Sequence, residues 1–352
     1  MAKIYKFLVS VFFLIIYGKI KIGKLRDVKT IDLKYKSIYK FKLYILKKGR
    51  IFTDCVTNVA YIQNNQIIPK ISYQQNKHYI SSIKYNSTLV NGTPKFKKYY
   101  RGKVLSLVQG ASGKNYWHWL FDIVPKIELL NNNKILKKID YFYVPNINQY
   151  VVDTFKIFNI NKEKLIESQT NKHLEADEIY GLEHLYIKKG VFQKQFKNLP
   201  KWIVKFINKK FLKFKKKISC TKKLYIDRSD SKLKHYSISN QDKLINFLKT
   251  KGYRDFKLSK LNLFEQIYLF NSSKYVIGAH GAGFANLAFC KSSTKVYEIL
   301  NTNQSYRSAI QTVCKHLNLK HKKIIITKRN NQNSEYNMTV DIVAFKKLLK
   351  VD

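Results

Sequence analysis

The sequence predicts an α/β protein with a parallel sheet covered on both faces, in a chain of two domains. Three observations carry this. In the second half, short apolar, β-branched runs alternate with helix-length segments of 3.6-residue period: residues 275–277, then 284–289, then 296–300. Gly278, Gly281 and Gly283 stand where the first of these strands gives way to a helix, and glycine allows tight geometry and close approach there. The 352 residues suffice for about two cores.

Residues 7–17 are an apolar run after Lys3 and Lys6, and Lys19, Lys21, Lys24 and Arg26 follow. The run is short for a membrane span and no cleavage site follows it. It suits an anionic membrane surface, an uncleaved anchor or the first helix of the fold. Residues 20–100 are short alternating runs, such as Lys40-Phe41-Lys42-Leu43-Tyr44-Ile45-Leu46, and read as mostly β structure. A buried strand follows at 103–108, then a helix over about 115–130 interrupted at Pro125. Residues 141–144 read as a strand, 150–158 as a helix and 179–187 as extended. A basic amphipathic helix at 202–217 lies near the domain crossing.

Strand and helix then alternate: strand 223–226, helix 240–250, a short strand near Phe256, helix 263–271, strand 275–277 and a helix. Strand 296–300, helix 306–317, strand 323–327 and helix 340–349 complete the chain. The expected division is 1–25 as a basic apolar amino terminus, 26–205 as a first domain, 206–335 as a second and 336–352 as a terminal helix.

Net charge is +45, which suits nucleic acid, anionic lipid or acidic sugars. Only seven of the 67 basic residues are Arg, however, and Lys is spread along an Ile- and Asn-rich chain, as compositional bias would spread it. A nucleic-acid protein would cluster its cations with interleaved aromatics or carry a known module. Neither is visible, so no specific nucleic-acid partner is expected. Cys55, Cys220, Cys290 and Cys314 lack zinc spacing and read as free thiols in a reducing, cytoplasmic compartment.

Three stretches hold residues that do chemistry. Tyr116-Trp117-His118-Trp119-Leu120-Phe121-Asp122 puts His118 and Asp122 on one helix face, one turn apart. A carboxylate there can orient the imidazole, raise its basicity or act as a base itself; an ordinary surface pair has the same spacing. Leu224-Tyr225-Ile226-Asp227-Arg228 ends a strand on Arg228, either an anion clamp or a structural partner of Asp227, Asp230 or Glu265. Gly278-Ala279-His280-Gly281-Ala282-Gly283-Phe284-Ala285-Asn286 would aim backbone N–H groups and a helix dipole at one spot, where a phosphate can sit. Its spacing is neither the dinucleotide fingerprint nor a phosphate loop, and a glycine-rich turn around a buried histidine would read alike. Glu298 lies near the carboxyl end of the next strand, where parallel sheets bind ligands.

In this order and spacing the pieces resemble glycosyltransferase family 61, over roughly residues 103–322. Phe264-Glu265-Gln266-Ile267 and Val296-Tyr297-Glu298-Ile299 share in the resemblance. It implies an α/β fold of the GT-B type, two Rossmann-like domains facing across a cleft, with 26–205 as the acceptor-side domain and 206–335 as the nucleotide-sugar-binding domain. It also implies inverting transfer of a sugar from a nucleotide-sugar donor to a glycan or other hydroxyl acceptor, without metal or cofactor, in surface polysaccharide or glycoconjugate synthesis. The chain contains no Asp-x-Asp, a motif that often marks metal-dependent sugar transfer. On this basis Asp122 or His118 takes the acceptor's proton, with Asp122 preferred. Arg228, His280, Gly281, Ala282, Gly283 and Asn286 bind the donor, and Glu298 accepts from its ribose.

The sequence departs from the family's pattern after Arg228. An arginine pair and an Asn-Glu are usual there; Lys234, His235, Asn240 and Gln241 stand here. Donor binding then rests more on Arg228 and the helix terminus, or the donor differs, or the fold is a degenerate transferase kept as a binding subunit.

Overall fold

The computed structural model describes residues 2–24, 28–76, 79–109, 115–187, 190–191, 193–230, 237–302, 308–326 and 338–350. The chain forms two compact units, Met1–Asn198 and Leu199–Asp352.

In the first unit, α1 (Ala2–Tyr17) precedes β1 (Lys21–Ile22), β2 (Lys29–Tyr35), β3 (Tyr39–Thr53), β4 (Asn58–Gln63), β5 (Gln66–Ile67), β6 (Tyr73–Asn76), β7 (Tyr79–Ile80) and the short α2 (Ser87–Asn91). The expected β structure is thus largely an antiparallel meander, with the two-residue β1 and β5 paired in parallel. Its β4–β5 turn is Asn64-Asn65, both at positive φ (49° and 56°), the geometry that favours Asn in a two-residue hairpin. Then come β8 (Lys98–Ser106), α3 (Tyr116–His118), α4 (Val124–Asn132), β9 (Tyr141–Val144), α5 (Gln149–Ile157), β10 (Leu165–Glu167), β11 (His173–Leu182) and β12 (Gly190–Val191).

The sheet runs β10-β9-β8-β11-β3-β4-β6-β7-β12. Its first four strands pair in parallel, and β11 then meets β3 antiparallel. Within the parallel part the sequence order is 3-2-1-4, one half of a doubly wound sheet, with its switch point between β8 and β11.

The helix expected over 115–130 is present, capped by the Asn115 side chain. The interruption lies just before Pro125. Between α3 and α4, Trp119–Ile123 forms a π turn. Pro125 cannot donate to the Phe121 carbonyl, and its ring crowds that oxygen, so the turn widens. Trp119, Leu120, Phe121 and Ile123 are fully buried, which anchors the irregular turn.

The second unit holds α6 (Lys201–Phe211), β13 (Lys223–Asp227), α7 (Gln241–Thr250), β14 (Arg254–Lys257), α8 (Leu263–Ser272), β15 (Tyr275–Ala279), β16 (Lys295–Asn301), α9 (Ala309–Leu317), β17 (Lys320–Ile326) and α10 (Ile342–Lys350). Its five strands are all parallel, in the order β14-β13-β15-β16-β17. That is 2-1-3-4-5, with a switch point between β13 and β15. The central strands are buried on both faces, as a covered parallel sheet requires. Tyr225, Ile277, Tyr297 and Ile299 pack there with Leu244, Phe247 and Phe345. Each such side chain contributes roughly 1.5–3 kcal/mol relative to exposure.

The segment expected to be extended over 179–187 is strand only as far as Leu182, and two further elements differ from expectation. The basic helix is α only to Phe211 and ends in a 3₁₀ turn at Leu212–Phe214. The segment after the glycine bend is a 3₁₀ helix, Ala282–Phe289. Residues 284–289 are all buried, so no exposed face imposes the 3.6 period, and the Asn286 side chain bonds back to the Gly283 carbonyl at 3.2 Å. The dipole of this short helix is correspondingly a smaller resource for anion binding than an α-helix's.

Helix α8 starts with a full capping box. Asn262 Oδ1 accepts from Glu265 N at 3.0 Å, and Glu265 Oε2 accepts from Asn262 N at 3.0 Å. Asn262→Ala is expected to cost about 1 kcal/mol, seen as a lower urea midpoint at unchanged slope; an unchanged midpoint would show the cap to be dispensable.

Candidate active site

In the first unit, the π turn and the segment after β11 converge on Asp122. His118 Nδ1 lies 2.7 Å from Asp122 Oδ2, Tyr186 Oη donates to Asp122 Oδ1 at 2.5 Å, and His184 Nε2 stands 3.4 Å from Oδ2. Asp122 is 3% exposed and His118 6%. Burial pushes the Asp122 carboxyl up, but His184 and His118 outweigh it and hold the group well below the usual carboxylate range. Asp122 is therefore ionised and can only accept, which puts the His118 proton on Nδ1 and makes Nε2 its basic nitrogen. His184 Nδ1 accepts from Ile187 N at 3.1 Å, so its proton sits on Nε2, facing Asp122.

This is the geometry of an oriented imidazole. A carboxylate held so far below neutrality is a poor proton acceptor, whereas His118 keeps Nε2 as its acceptor nitrogen. One turn further along the helix, Lys126 is 2% exposed and hydrogen-bonds to Gln109 Oε1 and to the Leu182 carbonyl, the latter at 3.1 Å. Burial pulls its amine down to about 7, with Asp122 and Glu183 opposing.

In the second unit, β13 and β15 deliver Arg228, His280 and Gly281 to the switch point. Arg228 Nη1 donates to the His280 carbonyl. A Cβ at Gly281 would overlap that guanidinium nitrogen. Gly281 has φ 163°, extended backbone open to any residue, so glycine is needed for room and not for conformation. At Gly283 a Cβ would meet Leu258 Cδ1 at 3.0 Å. Ala282 and Gly283 are the first residues of the 3₁₀ helix, whose leading N–H groups find no acceptor within it. Residues 280–283 are partly exposed, as a binding loop must be.

Beneath the loop, His280 Nδ1 bonds to Glu298 Oε1, and His321 Nε2 lies 2.8 Å from Glu298 Oε2. Burial raises the Glu298 carboxyl, but hydrogen bonds from His280 and His321 outweigh it and leave it lowered. Both Glu298 oxygens thus serve imidazoles at 1% exposure, the position of a group that orients His280 more than one that meets ribose. Asn286 has no exposed surface: its Nδ2 donates to Gln266 Oε1 at 2.8 Å, so it holds the loop against α8 from inside. Asp227, Asp230 and Glu265, the carboxylates considered for Arg228, accept from Ser229, Ser259 and Asn262 respectively. Gln241 Nε2 donates to Asp227 Oδ1 at 2.7 Å, where a Glu would oppose two carboxylates. Lys234 and His235 lie outside the described residues.

Sequence reasoning missed Lys126, His184, Tyr186 and His321, which reach the two sites from other elements. Among the described residues no group of three or more His, Cys, Asp or Glu side chains is arranged to hold a metal ion.

A family model described as Glycosyltransferase 61 matches residues 116–297, which contain His118, Asp122, Lys126, His184, Arg228 and the glycine bend. No curated protein matches the chain.

The buried amine gives a pH signature. Between about pH 7 and 10.5 the unfolded chain keeps a proton on Lys126 that the folded protein has released, so stability rises with pH across that window. Asp122, Glu183 and His184 are the charged or titratable groups acting on it. Relative to Lys126→Met, the wild type is expected to gain up to about 1.4 kcal/mol per pH unit, read from urea midpoints at pH 7, 8 and 9; parallel pH profiles would refute the shift.

Proposed function

The chain belongs to glycosyltransferase family 61 and is a glycosyltransferase; from that premise we propose that it moves a sugar from a nucleotide-sugar donor to a glycan hydroxyl with inversion and without a metal. The observation that carries this is the meeting of Arg228, His280 and the Gly281–Gly283 backbone at the carboxyl ends of β13 and β15. A diphosphate seated there meets a guanidinium and backbone N–H groups, which stabilise the charge that develops as it leaves. Glu298 and His321 support His280 from below.

The acceptor's oxygen attacks the anomeric carbon as the bond to the diphosphate breaks. Its proton passes to His118 Nε2, and Asp122 stabilises the imidazolium. This reverses the sequence-based preference for Asp122, because the buried carboxylate is held ionised by its partners. The GT-B type, with each Rossmann-like half serving one substrate, is part of the proposal. It is supported by the parallel strands in each unit, four within the mixed sheet of the first and five in the second, whose switch points carry the polar clusters. A role in surface polysaccharide synthesis and a cytoplasmic location belong to the same reading.

His118→Ala is expected to lower transfer about 10²–10⁴-fold while leaving donor affinity unchanged. Arg228→Ala should weaken nucleoside diphosphate binding about tenfold or more, as loss of a charge-assisted bond does. A thermal-shift series with uridine, guanosine, cytidine and adenosine diphosphates in chelator names the donor, since the ligand raises the melting temperature. Full transfer by His118→Ala would remove the base, and a shift that requires divalent metal would remove metal independence.

Association of α1 with an anionic membrane surface is a further part. Among the described residues no helix is long and apolar enough to cross a membrane. On α1, Phe13 packs on Phe96 and Tyr17, while Ile4, Phe7, Leu8, Phe12 and Ile15 are exposed. Such a face, with Lys19, Lys21 and Lys24 after it, suits the headgroup boundary. The protein should co-sediment with phosphatidylserine-containing vesicles more than with phosphatidylcholine vesicles, and Phe7→Glu with Ile15→Glu should release it; equal sedimentation of both proteins would exclude the surface.

A further inference from the structure

The first unit contains a cavity of about 470 Å³ whose walls include Lys126, Gln109, Glu183, His184, Lys70 and Tyr73. All its lining residues lie between Tyr61 and Ile187, within that unit. Gln109 comes just after β8, and Glu183 and His184 just after β11. The cavity therefore opens at the carboxyl ends of the two strands that flank the switch point, where parallel sheets bind ligands. Its size is that of a small-ligand site. His184 also faces Asp122, so the cavity wall and the proposed base share a carboxylate.

The chemistry of the walls selects a ligand. Lys126 is buried, and its two hydrogen bonds go to neutral oxygens, those of Gln109 and Leu182. Among the described residues no carboxylate lies within ion-pair distance of its amine. An ammonium buried against neutral oxygens is costly and tends to shed its proton, and an anion that enters the cavity offsets that cost and holds the proton in place. Lys70 adds a second cation on an exposed part of the wall. Glu183 is the opposing charge, but it is only half-buried, so the better buried charge on the wall is cationic. Ser72, Tyr73, Ser81 and Ser82 line the same space with hydroxyls, as suits a sugar ring.

We propose that this cavity binds an acidic sugar of the acceptor glycan, with the sugar's carboxylate paired to Lys126. The inference rests on the transferase reading above and names the substrate class of its acceptor site. No covalent step is involved.

The test is a ligand-observed NMR titration of the full chain with methyl β-glucuronide and methyl β-glucoside, which differ only in a carboxylate against a hydroxymethyl group. Sodium acetate serves as the anion without a ring. The glucuronide should bind at least tenfold tighter than the glucoside and than acetate. Lys126→Met should abolish that preference, and Lys70→Gln should reduce it two- to threefold. Equal affinity for the two glycosides, acetate binding as tight as the glucuronide, or an unchanged preference in a folded Lys126→Met protein would each overturn the proposal. The wild-type comparison decides the matter even where Lys126→Met does not fold. No donor is present, so this result is independent of nucleotide binding at Arg228. A failed glucuronide titration leaves the transferase reading intact, and a failed nucleotide screen leaves the cavity's selectivity intact.

Discussion

Each unit is organised around one buried carboxylate held between two imidazoles. Asp122 lies between His118 and His184, and Glu298 between His280 and His321. Four of the chain's eight histidines are used this way. A carboxylate buried alone would shed its charge, because desolvation penalises the ionised form. Hydrogen bonds and opposite partial charges reverse that balance at both sites, and the ionised acid then fixes which nitrogen of each partner carries a proton. Tautomer is what decides whether an imidazole can accept a proton or only donate one. The clamp is thus at once a stabilising feature and the device that orients the His118 and His280 rings.

Parallel-sheet topology supplies the locations. The order 3-2-1-4 in the first unit and 2-1-3-4-5 in the second each contain one reversal, and a crevice forms where neighbouring connections leave toward opposite faces. Gln109 and His184 flank the first reversal; Arg228 and His280 flank the second. The backbone adapts to this in two different ways. A π turn re-aims Asp122 within a helix that Pro125 would otherwise break, and Gly281 removes a side chain so that Arg228 can lie against the loop.

The sequence exposed what is local and hid what is assembled. Alternating apolar runs disclosed the second unit's five parallel strands, since both-face burial writes itself as short β-branched segments. His118 and Asp122 were legible because four residues make one helical turn. His184 and Tyr186 lie more than sixty positions from Asp122 and reach it only because β11 pairs beside β8. His321 arrives through β17 in the same way. The reason for Gly281 was also hidden: its backbone is ordinary, and the demand comes from a guanidinium fifty-odd residues upstream. The 3₁₀ form of Ala282–Phe289 could not be read, because a segment buried on all sides carries no periodicity.

The charge of +45 invites an explanation by mass attraction to polyanions, but position argues otherwise. Long-range attraction is shared among dozens of solvated ammoniums and is screened within a Debye length of about 8 Å at physiological salt. A cation specifies a ligand only where the fold has removed water and fixed its direction. Arg228, half-buried and tied to the His280 carbonyl at a sheet switch point, meets that condition in part, with its direction fixed. Lys126, aimed in the interior by two neutral oxygens, meets it once an anion holds its proton in place. On the reading proposed above, these two residues, out of 67 basic ones, confine recognition to one anion each, and the surrounding lysines add attraction without choice.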